Sequence, residues 1–231
     1  MIQDERTIKV IGNKGLEKLS NKKVCVFGVG GVGGFCIEAL VRAGIQQLVI
    51  IDHDIISESN INRQIIAKHS TIGLSKVEVM KKNLLDIRPN LKIVIYQNFY
   101  LPDQNQETMF NDCDYIIDCI DTISAKIALA SYCEQHKIPL ISSMGTGNKL
   151  DANQFKIADI YQTSICPLAK VMRRELKKRG VNQLKVLYST AEVLKIDKHD
   201  NERKQAPGSI SFVPSVAGLL LAQEVILDLL K

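Results

Sequence analysis

The chain has 231 residues, 45% of them hydrophobic, enough for one sizeable α/β core. Its formal charge of +5 is too mild to mark a dedicated polyanion binder, and the opening MIQDERTIKV lacks the apolar core of a secretion signal. No apolar run reaches the roughly 20 residues of a membrane span, so a cytoplasmic protein with no membrane contact is expected.

Residues 7–20 read as a helical segment broken around Gly12 and Gly15, within an N-terminal stretch of 1–22. Val24 to Phe27 is a short apolar run typical of a buried parallel strand, and it empties into Gly28, Gly30, Gly31, Gly33 and Gly34. A helix follows with Ile37, Leu40 and Val41 on its apolar face. Gly44 stops it, and Gln47–Ile51 forms a second strand ending at Asp52. Glycines at 28, 30 and 33 permit a tight turn, close approach of a phosphate to the backbone, and close helix–strand packing. Asp52 stands about 20 residues beyond Gly33, where a carboxylate meets ribose hydroxyls. The residues leave three readings here: a ligand-free glycine turn, an NAD enzyme or another nucleotide site.

A polar loop covers 53–64, and Ser75 caps a helix to Ile87 that Arg88-Pro89 closes. Lys92–Tyr96 is a third strand, 103–111 a short helix and Asp114–Ile117 a fourth strand, followed by Asp118-Cys119-Ile120-Asp121. A helix at 124–135 and a strand at 139–143 complete a Rossmann-like alternation, so the fold expected is α/β, doubly wound, with a mainly parallel sheet. Beyond 145 come a strand at 155–160, a basic helix at 167–179, a strand at 184–188, a polar loop at 197–207, a last strand at 209–213 and a closing helix at 217–230. No linker divides the chain: one domain of 1–231 is expected, with a nucleotide-binding core at 23–145 and an extension at 146–231. Six cysteines without a C-x-x-C pair read as free, mostly buried thiols.

Asn60, Arg63 and Lys76 converge beside the glycine loop. They suit a triphosphate better than a dinucleotide's pyrophosphate, because two cations can neutralise charge developing on the α-phosphate and on departing pyrophosphate. Asp121, just past a carboxyl strand end, can hold Mg²⁺. Asp54 either supports Asp52 and the magnesium shell or braces the loop.

This constellation resembles the ATP-binding core of the ubiquitin-activating-enzyme-like superfamily, the group of ThiF and MoeB, over nearly the whole chain. The matching residues are GVGGVG at 28–33, D-x-D…S-N-x-N-R-Q at 52–64, Lys76 and D-C-I-D at 118–121. The resemblance implies a doubly wound sheet extended by C-terminal strands, and an enzyme that adenylates a carboxylate with ATP. It makes Gly30 and Gly31 phosphate contacts, Asp52 the ribose ligand, Asn60, Arg63 and Lys76 a triphosphate clamp, and Asp121 the Mg²⁺ ligand. Arg6 matches an arginine supplied across a dimer interface, which implies a homodimer.

Sulfur-carrier and ubiquitin branches usually carry paired C-x-x-C motifs and a crossover-loop cysteine. Both are missing here, and no cysteine follows Cys166, so 180–210 offers no thiol for a thioester or persulfide. Residues 141–180 and 208–218 look like the tRNA-modifying branch that dehydrates threonylcarbamoyladenosine. That branch implies activation of the modification's free carboxylate and ring closure by an atom of the same modification, which needs no enzyme thiol. Lys170, Arg173, Arg174, Lys177 and Lys178 then become candidates for tRNA phosphate contacts, against the alternative of a solvated helix face. Cys166 reads as a helix-start packing residue, and Gly145 and Gly147 as shaping the loop after the fifth strand. Adenylation of a small sulfur carrier's C-terminus, docking of a sulfur-relay protein and a dinucleotide-binding oxidoreductase stay open.

Overall fold

The structure, a computed structural model, describes residues 2–100, 106–194 and 207–231. Residues 103–105 of the expected short helix and the polar loop up to residue 206 lie outside the described residues.

The strands are β1 (Lys23–Phe27), β2 (Gln47–Ile51), β3 (Lys92–Tyr96), β4 (Tyr115–Asp118), β5 (Leu140–Ser143), β6 (Phe155–Asp159) and β7 (Lys185–Ser189). They form one seven-stranded sheet in the order β3-β2-β1-β4-β5-β7-β6, parallel except where edge strand β6 runs antiparallel to β7. The expected doubly wound, mainly parallel sheet with C-terminal strands is what the chain forms. The helices are α1 (Glu5–Ser20), α2 (Gly33–Ala43), α3 (Lys76–Ile87), α4 (Ile123–His136), α5 (Pro167–Lys178) and α6 (Phe212–Leu230).

Alternation along β1 sends its side chains into two cores. Val24 and Val26 meet Ile37 and Leu40 of α2, Met80 and Leu84 of α3 and Leu221 and Val225 of α6. Cys25 and Phe27 face Phe110 and Leu129 on the other side, with the Phe27 and Phe110 rings edge-on at 5.1 Å. A strand buried on both faces has to be apolar throughout, which is why KVCVF shows no polar alternation. A third core sits under β7, where Met172 and Leu176 of α5 meet Val186 and Tyr188.

α1 is kinked at Gly12 (φ 72°, ψ 169°), as its glycines suggested, while Gly15 stays helical. Ser75 is at the N-cap of α3, but its side chain makes no cap bond and its Oγ is buried without a partner. Arg88 does more than end α3. It is 2% exposed and bonds Asp4 at 2.7 Å, pinning the N-terminal segment to the core.

The expected strand at 209–213 is absent, because α6 begins at Phe212. Its Pro214 lies in the first turn, where a missing N–H costs nothing. Phe212 and Val213 therefore belong to a helix packed on α2, whose burial of Leu221 and Val225 contributes about 1.5–3 kcal/mol each. With 19 residues, α6 is long and apolar enough to cross a membrane by length and composition, which corrects the expectation that no segment reaches that size. In the fold its Glu224 and Asp228 hold Lys185 of β7 at 2.7 and 2.6 Å.

Candidate active site

Strand register builds the site. Phe27 of β1 lies level with Ile51 of β2 and with Asp118 of β4, so Gly28, Asp52 and Cys119 emerge side by side at the carboxyl edge. A cavity of about 470 Å³ opens there, at the strand-order reversal where doubly wound sheets take their ligands.

Two glycines are dictated by geometry. Gly28 has φ +90°, and a Cβ there would lie 2.7 Å from the Cys119 carbonyl oxygen. A Cβ on Gly33 would fall 1.8 Å from the Gly28 carbonyl oxygen, so α2 can start this close to β1 only without one. Gly28, Gly30 and Gly31 line the cavity, whereas Gly33 stands behind it as the packing residue.

Asp52 is 9% exposed; its Oδ2 accepts the Val29 N–H at 2.6 Å and its Oδ1 the Asp54 N–H at 2.8 Å. These bonds fix the carboxylate at the cavity wall and tie the glycine loop to the end of β2. Lys76, in the first turn of α3, is 5% exposed, and its Nζ donates to Asp54 Oδ2 at 2.6 Å. Asp54 therefore braces the loop through its backbone and holds the lysine through its carboxylate, while His53 Nε2 lies 3.1 Å from Asp54 Oδ1. Asn60 accepts the Ser57 N–H at 3.1 Å, and Arg63 Nη1 donates to the Ser59 carbonyl at 2.9 Å. Asn60, Arg63, Lys76 and Asp121 all line the one cavity, as their spacing suggested. The Asp121 carboxylate is exposed, 3.4 Å from the Thr122 hydroxyl.

Arg6 does not join them. It is exposed on α1, outside this cavity. Nor do the α5 cations form one free face. Arg173 is half-buried and donates to the Thr163 carbonyl at 3.0 Å and to its hydroxyl, so it is committed to the fold. Glu175 gathers Lys178, Arg179 and Arg174 at 3.0–3.1 Å, and hydrogen bonds from Lys178 and Arg179 hold its carboxyl at about 2. Lys170 and Lys177 are exposed.

The sequence reading missed the polar network beneath the cavity. Lys126 of α4 is 1% exposed; its Nζ donates to Asp118 Oδ2 at 2.9 Å, to Ser142 Oγ at 3.2 Å and to the Ser143 carbonyl at 2.8 Å. Asp118 Oδ1 accepts the Ile120 N–H at 3.0 Å, shaping the turn that leads to Asp121. The network joins the ends of β4 and β5, two walls of the cavity. Cys119, the one cysteine lining it among the described residues, has its thiol pushed up to about 12 by burial and by Asp118. It is therefore a thiol, not a thiolate nucleophile, near neutral pH. Cys166 is buried at the N-cap of α5, in the packing role expected of it.

Fold and site define an α/β nucleotide-binding protein with two cationic side chains, Arg63 and Lys76, lining the cavity beside its glycine loop. The chain belongs to the ThiF family, whose model matches residues 3–231. It is 40% identical over 241 residues to the tRNA threonylcarbamoyladenosine dehydratase of Bacillus subtilis, covering 99% of this chain and 95% of that relative. It also resembles two crystal structures of the E. coli tRNA N6-threonylcarbamoyladenosine dehydratase, TcdA, each 30% identical. The AMP complex has a TM-score of 0.89 over 97% of this chain and 92% of that one; the ATP complex has 0.90 over 99% and 93%.

Proposed function

We propose that the protein is an ATP-dependent tRNA threonylcarbamoyladenosine dehydratase. The observation that carries this reading is the shared cavity joining the glycine loop, Asn60, Arg63, Lys76 and Asp121, whose one lining cysteine among the described residues, Cys119, is held as a thiol by burial. Likeness to dehydratases over nearly the full chain supports it.

A carboxylate oxygen of the modification attacks the α-phosphorus of ATP, and the bond to the β-phosphate oxygen breaks, releasing pyrophosphate. Backbone N–H groups at Gly30 and Gly31 hold phosphate oxygens, and Asp52 holds the ribose. Arg63 and Lys76 meet the charge that grows on the α-phosphate and the departing group, and Asn60 completes the clamp on the triphosphate. An atom of the same modification then attacks the activated carbonyl. AMP leaves with the former carboxylate oxygen, a ring closes, and the nucleoside has lost one water. Proximity within one arm replaces a covalent enzyme intermediate.

The exposed Asp121 carboxylate and the Asp52 and Asp54 carboxylates at the cavity offer oxygen donors, the chemistry Mg²⁺ takes. Asp121 is its ligand in this reading. Bound there, the ion would neutralise phosphate charge.

The chain acts as one cytoplasmic domain, the core at 23–145 activating the carboxylate and the extension at 146–231 facing tRNA. It works as a homodimer in which Arg6 serves the partner's site. Chains carrying Arg6→Ala and Lys76→Ala, mixed under exchange, are expected to regain about a quarter of wild-type activity, since each mixed dimer holds one intact site. No recovery would remove the trans assignment. On α5, Lys170, Arg174, Lys177 and Lys178 are the phosphate contacts, while Arg173 positions the loop at Thr163. Arg174→Gln with Lys177→Gln is expected to weaken tRNA binding and lower the slope of log affinity against log salt by about 1 per contact. An unchanged slope would make the helix a solvated face. A sulfur-relay protein remains a possible partner of the same surface.

The functional test measures AMP made from ATP and Mg²⁺ with modified tRNA, unmodified tRNA or a sulfur-carrier protein. AMP with modified tRNA alone is expected; AMP with the carrier alone would overturn the reading.

A further inference from the structure

The cavity has two halves of different chemistry. The clamp, Asp52 and Asp121 occupy one. Two strands along the sheet from β1, the loop that follows β5 lines the same cavity with Met144, Gly145, Thr146 and Gly147, together with the first-turn residue Leu168 of α5 and Pro207. Among the described residues this second wall carries no charged side chain, only a hydroxyl and apolar groups.

Its two glycines differ. A Cβ on Gly147 would lie 2.8 Å from Pro207 Cβ, so packing excludes a side chain there. Gly145 has no positive φ, and among the described residues a Cβ there would meet nothing within 4 Å. Neither backbone conformation nor packing requires glycine at 145. What its missing side chain provides is open space at the cavity wall.

Resting on the dehydratase reading, we propose that this wall is the acceptor subsite and that Gly145 sets its size. It takes the hydroxyl- and methyl-bearing end of an aliphatic arm on a nucleoside, with Thr146 beside the hydroxyl and Met144 and Leu168 against the methyl. An uncharged wall facing two cations orients the arm: its carboxylate turns to Arg63 and Lys76 and its neutral end to Gly145.

The test compares wild type, Gly145→Ala and Gly145→Val for Mg-ATP binding by equilibrium dialysis and for AMP formation with modified tRNA. Valine is expected to leave ATP affinity within about twofold and to cut AMP formation at least about tenfold, with alanine in between, following side-chain volume. Full activity in Gly145→Val beside an active wild type overturns the inference alone. An inactive wild type overturns the functional reading and the inference with it. Should valine also weaken ATP binding, Gly145→Ala decides: a raised KM for tRNA at unchanged ATP affinity supports the subsite, and an unchanged KM overturns it.

Discussion

Replacing Lys76 with alanine is expected to lower ATP-dependent AMP formation by about 10²–10³, the usual effect of removing one charged donor aimed at a transition state. The lysine is 5% exposed and fixed by Asp54 at 2.6 Å, so its ammonium is oriented before any nucleotide arrives. Of its three N–H donors Asp54 takes one, which leaves others for phosphate oxygens. The loss should fall on kcat more than on the KM for ATP, because the charge it meets is greatest as pyrophosphate departs. Asp54→Asn keeps the lysine but loosens it, and a smaller loss is expected. A Lys76→Ala enzyme with wild-type kcat would place the lysine in the scaffold instead of the chemistry.

The second large effect is on stability. Lys126→Met leaves the Asp118 carboxylate buried without its counter-ion and should destabilise the fold by about 3–5 kcal/mol, measured by urea unfolding. Removing both charges together, with Asp118→Asn and Lys126→Met, is expected to recover part of that loss, since no uncompensated ion then remains in the interior. Equal destabilisation by the single and double variants would show that the pair acts through shape alone. Ser142→Ala, which removes a neutral partner of both groups, should cost about 1 kcal/mol.

β1, β2 and β4 were legible because each is an apolar run ending in a glycine or an acid, a pattern that buried parallel strands enforce. The convergence of Asn60, Arg63 and Lys76 on the cavity was legible for a related reason: they sit at fixed offsets from the end of β2, and the fold brings them to it. Ser209–Val213 misled because serine, isoleucine and phenylalanine alternate as in a strand, while helix α6 is decided by packing on α2. Pro214, tolerable in a helix only near its start, was the available signal. Lys126 looks like an ordinary lysine within a helix. Only its distance from Asp118, set by the tertiary fold, shows it to be buried and paired. Arg88 with Asp4, and Arg173 with Thr163, escaped for the same reason: each joins residues whose neighbourhood no local pattern encodes.

Mass analysis of tRNA nucleosides after incubation with the enzyme, ATP and Mg²⁺ tests the central claim most directly. Loss of one water from threonylcarbamoyladenosine, matched one for one by AMP, is the predicted result. AMP formed while that nucleoside keeps its full mass would contradict the account.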